Sequence, residues 1–76
     1  MEKQILHSFK RNETEEVQIS IGSYKEKNYI DLRIFFKSGD EWRPTKKGLT
    51  LTTELVPELL IGLERFNEVA AHNESV

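Results

Sequence analysis

Between Tyr24 and Lys47 the chain interleaves aromatic rings with cations. Tyr24, Lys25 and Lys27 come first, Arg33 follows, and Trp42 stands beside Arg43 with Lys46 and Lys47 just beyond. Cations that track phosphates and flat rings on which unpaired bases stack are the two requirements of a surface for single-stranded nucleic acid. Lys25 and Lys27 are two positions apart, so in an extended stretch they share a side and reach neighbouring phosphates. Tyr24 opens that connection, where its ring can face a base. Arg33 adds a planar cation able to contact phosphate or to stack. Arg43, Lys46 and Lys47 surround Pro44, and a turn there fans them outward. Trp42 suits a stacking platform or a core or edge-strand position equally well. A single Lys or Arg on a strand or turn ordinarily only solubilises, so the cluster carries the inference.

The charge distribution agrees. The whole chain of 76 residues has a net charge of −2. Its middle segment, 24–48, has seven Lys or Arg against four acids, whereas residues 49–76 hold only Arg65 against five Glu. A polyanion meeting the middle segment encounters a locally basic surface.

The same residue types exclude other chemistry. There is no Cys, which removes disulfides and thiolate zinc sites and fits a reducing cytosolic compartment. His7 and His72 lie near opposite ends without ligand spacing to an acid, and Gly39 and Gly48 belong to no phosphate-cradling motif. No Ser or Thr has an evident base beside it. We expect no catalysis, no metal and no cofactor. No window approaches the roughly 18 apolar residues of a membrane span, and "MEKQILHSFKRNE" holds no apolar stretch of secretory length. A cytoplasmic, nucleoid-associated protein is expected.

The elements that must position these residues follow from periodicity. Residues 1–16 are polar and poorly patterned, with "KRNETEE" reading as a turn and a short strand possible near Ile5–Phe9. "VQISI" (17–21) alternates at period two, as a half-buried strand does. In "NYIDLRIFF" (28–36), Ile30, Leu32, Ile34 and Phe36 share one face; Tyr29, Asp31, Arg33 and Phe35 share the other, where Asp31 pairs with Arg33. "KSGDE" reads as a hairpin loop with Gly39 at positive φ, "WRP" as a short strand, "TKKG" as a turn, and "LTLT" (49–52) as the fourth strand. From Thr52 or Thr53, either of which suits a cap, the pattern becomes helical. Pro57 makes "TTEL" a separate turn and places the helix start near the proline. Leu55, Leu59, Leu63, Phe66 and Ala70 form a stripe broader than one sheet face needs. A domain this small rarely builds a sufficient core alone. A second copy is therefore expected around a two-fold axis, with Leu59, Leu63 and Phe66 in its interface.

"SYKEKNYIDLRIFF" and "EWRPTKKGLTLT" followed by "ELVPELLIGLERF" resemble the positive cofactor four family of transcriptional coactivators in its compact bacterial form, from roughly Val17 to Phe66. The resemblance implies an α+β fold, a four-stranded antiparallel curved β-sheet followed by one long C-terminal helix, assembled as a homodimer. It implies single-stranded DNA binding with little sequence preference, through Tyr24, Lys25, Lys27, Arg33, Phe36, Arg43, Lys46 and Lys47. Two positions depart from the pattern. Glu26 stands where the family often has Gly, and Phe36 has core parity, which leaves Phe35 or Phe36 as the stacking ring.

The expected organisation is a polar segment (1–16), one nucleic-acid-binding domain (17–71) and a frayed tail (72–76). The expected function is sequence-tolerant single-stranded DNA binding in transcription, replication or repair. The alternatives are single-stranded RNA, or a regulatory module whose acidic helix meets another protein.

Overall fold

The computed structural model describes residues 3–72, which form four strands and a C-terminal helix. Strands β1 (Lys3–Lys10), β2 (Glu15–Tyr24), β3 (Lys27–Ser38) and β4 (Glu41–Thr52) pair antiparallel in that order, each with its sequence neighbours. A short 3₁₀ turn (Thr53–Leu55) then leads into α1 (Val56–His72). The frayed tail expected at 72–76 lies outside the described residues except for the His72 backbone, which closes α1.

The hairpin turns are built by local chemistry. At the first, Asn12 Oδ1 accepts hydrogen bonds from the backbone N–H of Thr14 (2.9 Å) and of Glu15 (2.8 Å). This side-chain mimic of a backbone turn reverses the chain, as "KRNETEE" promised. At the second, Tyr24 pairs directly with Lys27, so the loop is only Lys25–Glu26, and both adopt positive φ (50° and 66°). Two-residue hairpin loops of this hand normally recruit Asn or Gly. The third turn uses Gly39 at φ 65°.

Parity in β3 holds throughout. Val17, Ile19 and Ile21 of β2 lie opposite Ile34, Leu32 and Ile30 of β3, which in turn face Leu49 and Leu51 of β4. These side chains form one apolar sheet face. Glu16, Gln18, Ser20, Gly22 and Tyr24 pair with Phe35, Arg33, Asp31, Tyr29 and Lys27 on the other.

Three expectations are corrected. The first strand is Lys3–Lys10, longer than the short stretch envisaged; its alternation is masked by a bulge at Leu6, between the Ile5 and His7 pairings. The stretches "WRP" and "LTLT" are one continuous strand, because "TKKG" is a bulge and not a turn. Arg33 faces Gly48 and Phe35 faces Pro44, so three residues of β4 oppose Ile34 alone. Finally, Thr52 precedes the 3₁₀ turn in extended conformation but its side chain makes no cap bond. Separation of that turn from a helix beginning beside Pro57 is as read from the sequence.

Among the described residues, no strand packs extensively along α1 and no apolar side chain is fully buried. Leu60, Leu63, Phe66 and Val69 of α1 all remain about half exposed or more. The Cα radius of gyration is 14.9 Å, against about 11 Å for a compact chain of this length.

Candidate nucleic-acid interface

The sheet face opposite the apolar one gathers aromatic and cationic side chains by register. Tyr24 and Lys27 form one cross-strand pair, Phe35 faces Pro44, and Lys37 faces Trp42. Lys3 of β1 joins them beside Gly22. Tyr24 is 54% exposed, whereas Tyr29, Phe35 and Trp42 are half-buried. Lys25 sits in the tight turn with its Nζ 5.4 Å from the centre of the Tyr24 ring, a cation–π contact that holds the ammonium at the ring.

Arg33 anchors the middle of this face. Its Nε and Nη2 donate to Asp31 Oδ2 (3.0 Å) and Oδ1 (2.8 Å), and Nη1 donates to the Thr45 carbonyl (2.9 Å). Thr50 Oγ1 donates to Asp31 Oδ1 at 2.6 Å and receives a long bond from Arg33 Nη2 (3.4 Å). The pair anticipated from the sequence is therefore bidentate and half-buried, and four of the five guanidinium N–H groups are engaged. The guanidinium hydrogen bond holds the Asp31 carboxyl below its ordinary range, against the opposing effect of burial and with help from Thr50. Asp31 in turn raises Arg33.

The bulge depends on the same residues. Thr45 Oγ1 donates to the Ile34 carbonyl (2.7 Å) and accepts from the Lys47 backbone N–H (3.1 Å). Gly48 lets the returning strand pass over the guanidinium. A Cβ there would lie 2.7 Å from the Leu32 carbonyl oxygen and 2.9 Å from Arg33 Cζ. The bulge presents Lys46 and Lys47 exposed on β4.

Register separates the remaining candidates. Phe36 faces Arg43, and both lie on the apolar-face parity, away from Tyr24 and Lys27. Phe36 is 41% exposed, and Arg43 pairs with Glu41 at 3.3 Å. The ring that shares a face with Tyr24 is thus Phe35. Lys3 and Lys37 also belong to the aromatic face and were not singled out from the sequence. Period-two counting from Arg33 finds Lys37, but Lys3 needs the β1–β2 register. Leu63 and Phe66 are exposed on α1, and Leu59 is half-buried.

Among the described residues, no three His, Asp or Glu side chains gather closely enough to hold a metal ion. No helix among them is long and apolar enough to cross a membrane.

The family model for the transcriptional coactivator p15 (PC4) matches residues 11–61. No curated protein matches the sequence significantly. Among solved structures, the fold is similar to BPSL1147, a PC4 homolog from Burkholderia pseudomallei, with TM-score 0.79 and 22% identity over 87% of this chain and 98% of that one. It is also similar to the bacteriophage T5 homolog of PC4 implicated in recombination-dependent DNA replication (TM-score 0.64, 21% identity, 97% of this chain and 83% of that one). A third is MoSub1, solved in complex with single-stranded DNA (TM-score 0.61, 23% identity, 87% of this chain and 77% of that one).

Proposed function

The chain belongs to the PC4 family of transcriptional coactivators, a DNA-binding family, and on that premise we propose that it is a sequence-tolerant single-stranded DNA-binding protein working as a homodimer. The observation that carries the reading is the sheet face on which Tyr24, Tyr29, Phe35 and Trp42 alternate with Lys3, Lys27 and Lys37. The similarity to MoSub1, solved with single-stranded DNA, supports it.

In this mechanism Lys25 and Lys27 take phosphates at the tip of the β2–β3 hairpin, while Lys46 and Lys47 take them from the bulge. Tyr24 and Trp42 supply faces for bases. Arg33 has one N–H left to offer, so its main part is positioning: it holds the Thr45 carbonyl and thereby the two bulge lysines. Phe36 and Arg43 lie on the other face and contact a strand only where it wraps the sheet edge. The exposed apolar residues of α1 and the missing core favour a second copy as the helix partner, with Leu59, Leu63 and Phe66 in the seam. Transcription, replication or repair on nucleoid DNA in the cytoplasm is the setting this proposal assigns.

The test is an anisotropy titration of a labelled oligo-dT of about 20 nucleotides across a salt series. Neutralising about 4–6 phosphates gives a log–log salt slope of about −3 to −4. Lys25→Ala, Lys27→Ala and Lys47→Ala together should weaken binding to all sequences alike. Absence of binding at low salt overturns the proposal; competition by RNA but not by DNA redirects it to RNA.

A specific observation favours a second surface. The side of α1 bearing Glu58, Glu64 and Glu68 would repel nucleic acid, and an acidic exposed helix suits a protein partner.

A further inference from the structure

The aromatic face contains a hollow beside the Tyr24 ring. Its centre is Gly22, flanked across the sheet by Lys3 of β1 and by Tyr29 of β3. Along β2 the same-face neighbours of Gly22 are Ser20 and Tyr24. The columns of β1 and β3 stand about 10 Å apart, and with no side chain between them the row is open at Gly22. The result is a groove of about 300 Å³, walled by Tyr24, Tyr29 and Lys3, with Ser20 and Gly22 beneath and Asp31, Arg33 and Thr50 at its far end. Ser20 is the one fully buried side chain among the described residues (3% exposed), which closes the floor.

We infer that this groove seats a single unpaired nucleobase, inserted between the tyrosines instead of laid on the surface; the inference rests on the single-strand reading above. Three features specify that ligand. Two of the walls are the rings of Tyr24 and Tyr29, and a flat base stacks on such surfaces whatever its identity. The mouth carries cations on both sides, Lys3 across from Gly22 and Lys27 across from Tyr24, so the phosphates flanking the inserted nucleotide meet positive charge. The far end offers an acceptor in Asp31 beside a donor in Arg33. Asp31 receives three hydrogen bonds, from Arg33 Nε, Arg33 Nη2 and Thr50, which leaves a carboxylate lone pair for an N–H on the Watson–Crick edge. Every base presents such an N–H, so the slot adds affinity without reading sequence.

The experiment compares oligo-dT with an abasic sugar-phosphate oligomer of the same length, each titrated by anisotropy across a salt series with the full chain. Two variants are used. Gly22→Val fills the hollow with a strand-favouring side chain, and Tyr29→Leu removes one wall but keeps apolar cover. Circular dichroism melts check that each is folded. The wild-type chain should bind oligo-dT about fivefold or more tighter than the abasic oligomer. Each variant should lose most of that margin, with the salt slope and the abasic affinity unchanged. Variants that keep the margin overturn the slot but leave the single-strand reading intact; equal wild-type affinity for both oligomers overturns the slot and the stacking role of Tyr24 and Trp42 together. Wild-type binding to neither oligomer overturns both.

Discussion

Gly48→Ala is a small change with a large expected effect. The new Cβ would sit 2.7 Å from the Leu32 carbonyl oxygen and 3.0 Å from Arg33 Nη1, whereas ordinary van der Waals contact begins near 3.4 Å. The carbonyl belongs to a paired central strand and cannot rotate away, so β3 and β4 must separate by about 0.7 Å locally or the guanidinium must leave. Overpacking of that kind costs about 1–3 kcal/mol. Displacing Arg33 gives up a charge-assisted bond to the Thr45 carbonyl at 2.9 Å, a class worth about 1.5–3 kcal/mol. The side chain is only 22% exposed, so solvent recovers little of it. Relief of one strain by accepting the other gives a net loss of about 1–3 kcal/mol, a large share of the stability of a chain this size. Urea unfolding followed by Trp42 fluorescence, at fixed protomer concentration because the proposed dimer would contribute, measures it. Oligo-dT affinity should fall as well, because the bulge bearing Lys46 and Lys47 is displaced. A loss below about 0.5 kcal/mol would refute the argument that Gly48 is required for the close passage over Arg33.

Glu26→Gly should stabilise the chain by about 0.5–1 kcal/mol, since glycine adopts the observed φ of 66° without the side-chain clash but adds unfolded-state freedom. It also removes an acid between Lys25 and Lys27 and should tighten oligo-dT binding about twofold to fivefold at low salt; a lower melting temperature would contradict the turn analysis. Asp31→Asn should cost about 1–3 kcal/mol at pH 7 by leaving Arg33 without its carboxylate. Because the folded pKa of Asp31 is depressed, its contribution is complete above the ordinary carboxylate range and is lost as pH falls through the folded value. The difference between wild type and Asp31→Asn should therefore shrink below about pH 4, and a constant difference down to pH 2 would disprove the linkage. Phe66→Asp should dissociate the proposed dimer, given about 1.5–3 kcal/mol of lost burial per side chain, and sedimentation velocity at several concentrations would show it; an unchanged profile would remove Phe66 from the seam.

Much of this architecture is legible from local pattern. The β3 parity, the Gly39 turn and the switch to helix beside Pro57 each depend on residues a few positions apart. The bulge does not, because Arg33 to Thr45 and Thr45 to Ile34 are bonds across 12 and 11 residues, and "TKKG" reads as a turn until they are known. β1 is hidden for another reason: Leu6 interrupts its alternation, and its membership is fixed only by pairing with β2. The basic aromatic cluster is visible as a segment, but its division between two faces requires the β3–β4 register. That register separates Arg43 from Tyr24 and sets Trp42 opposite Lys37, while Lys3 comes in only through the β1–β2 register.

The strand order has a kinetic consequence. Each strand pairs only with its neighbours in sequence, through loops of two to four residues, so the sheet forms by successive hairpin closures with little chain entropy to overcome. Such closures run on the microsecond scale. In the proposed dimer, the apolar surface of α1, along which no strand among the described residues packs extensively, is satisfied only after a bimolecular encounter. Refolding should therefore split into a fast phase independent of protein concentration and a slower one that accelerates with it. During the interval between them, the half-formed chain displays its helix to whatever it meets first.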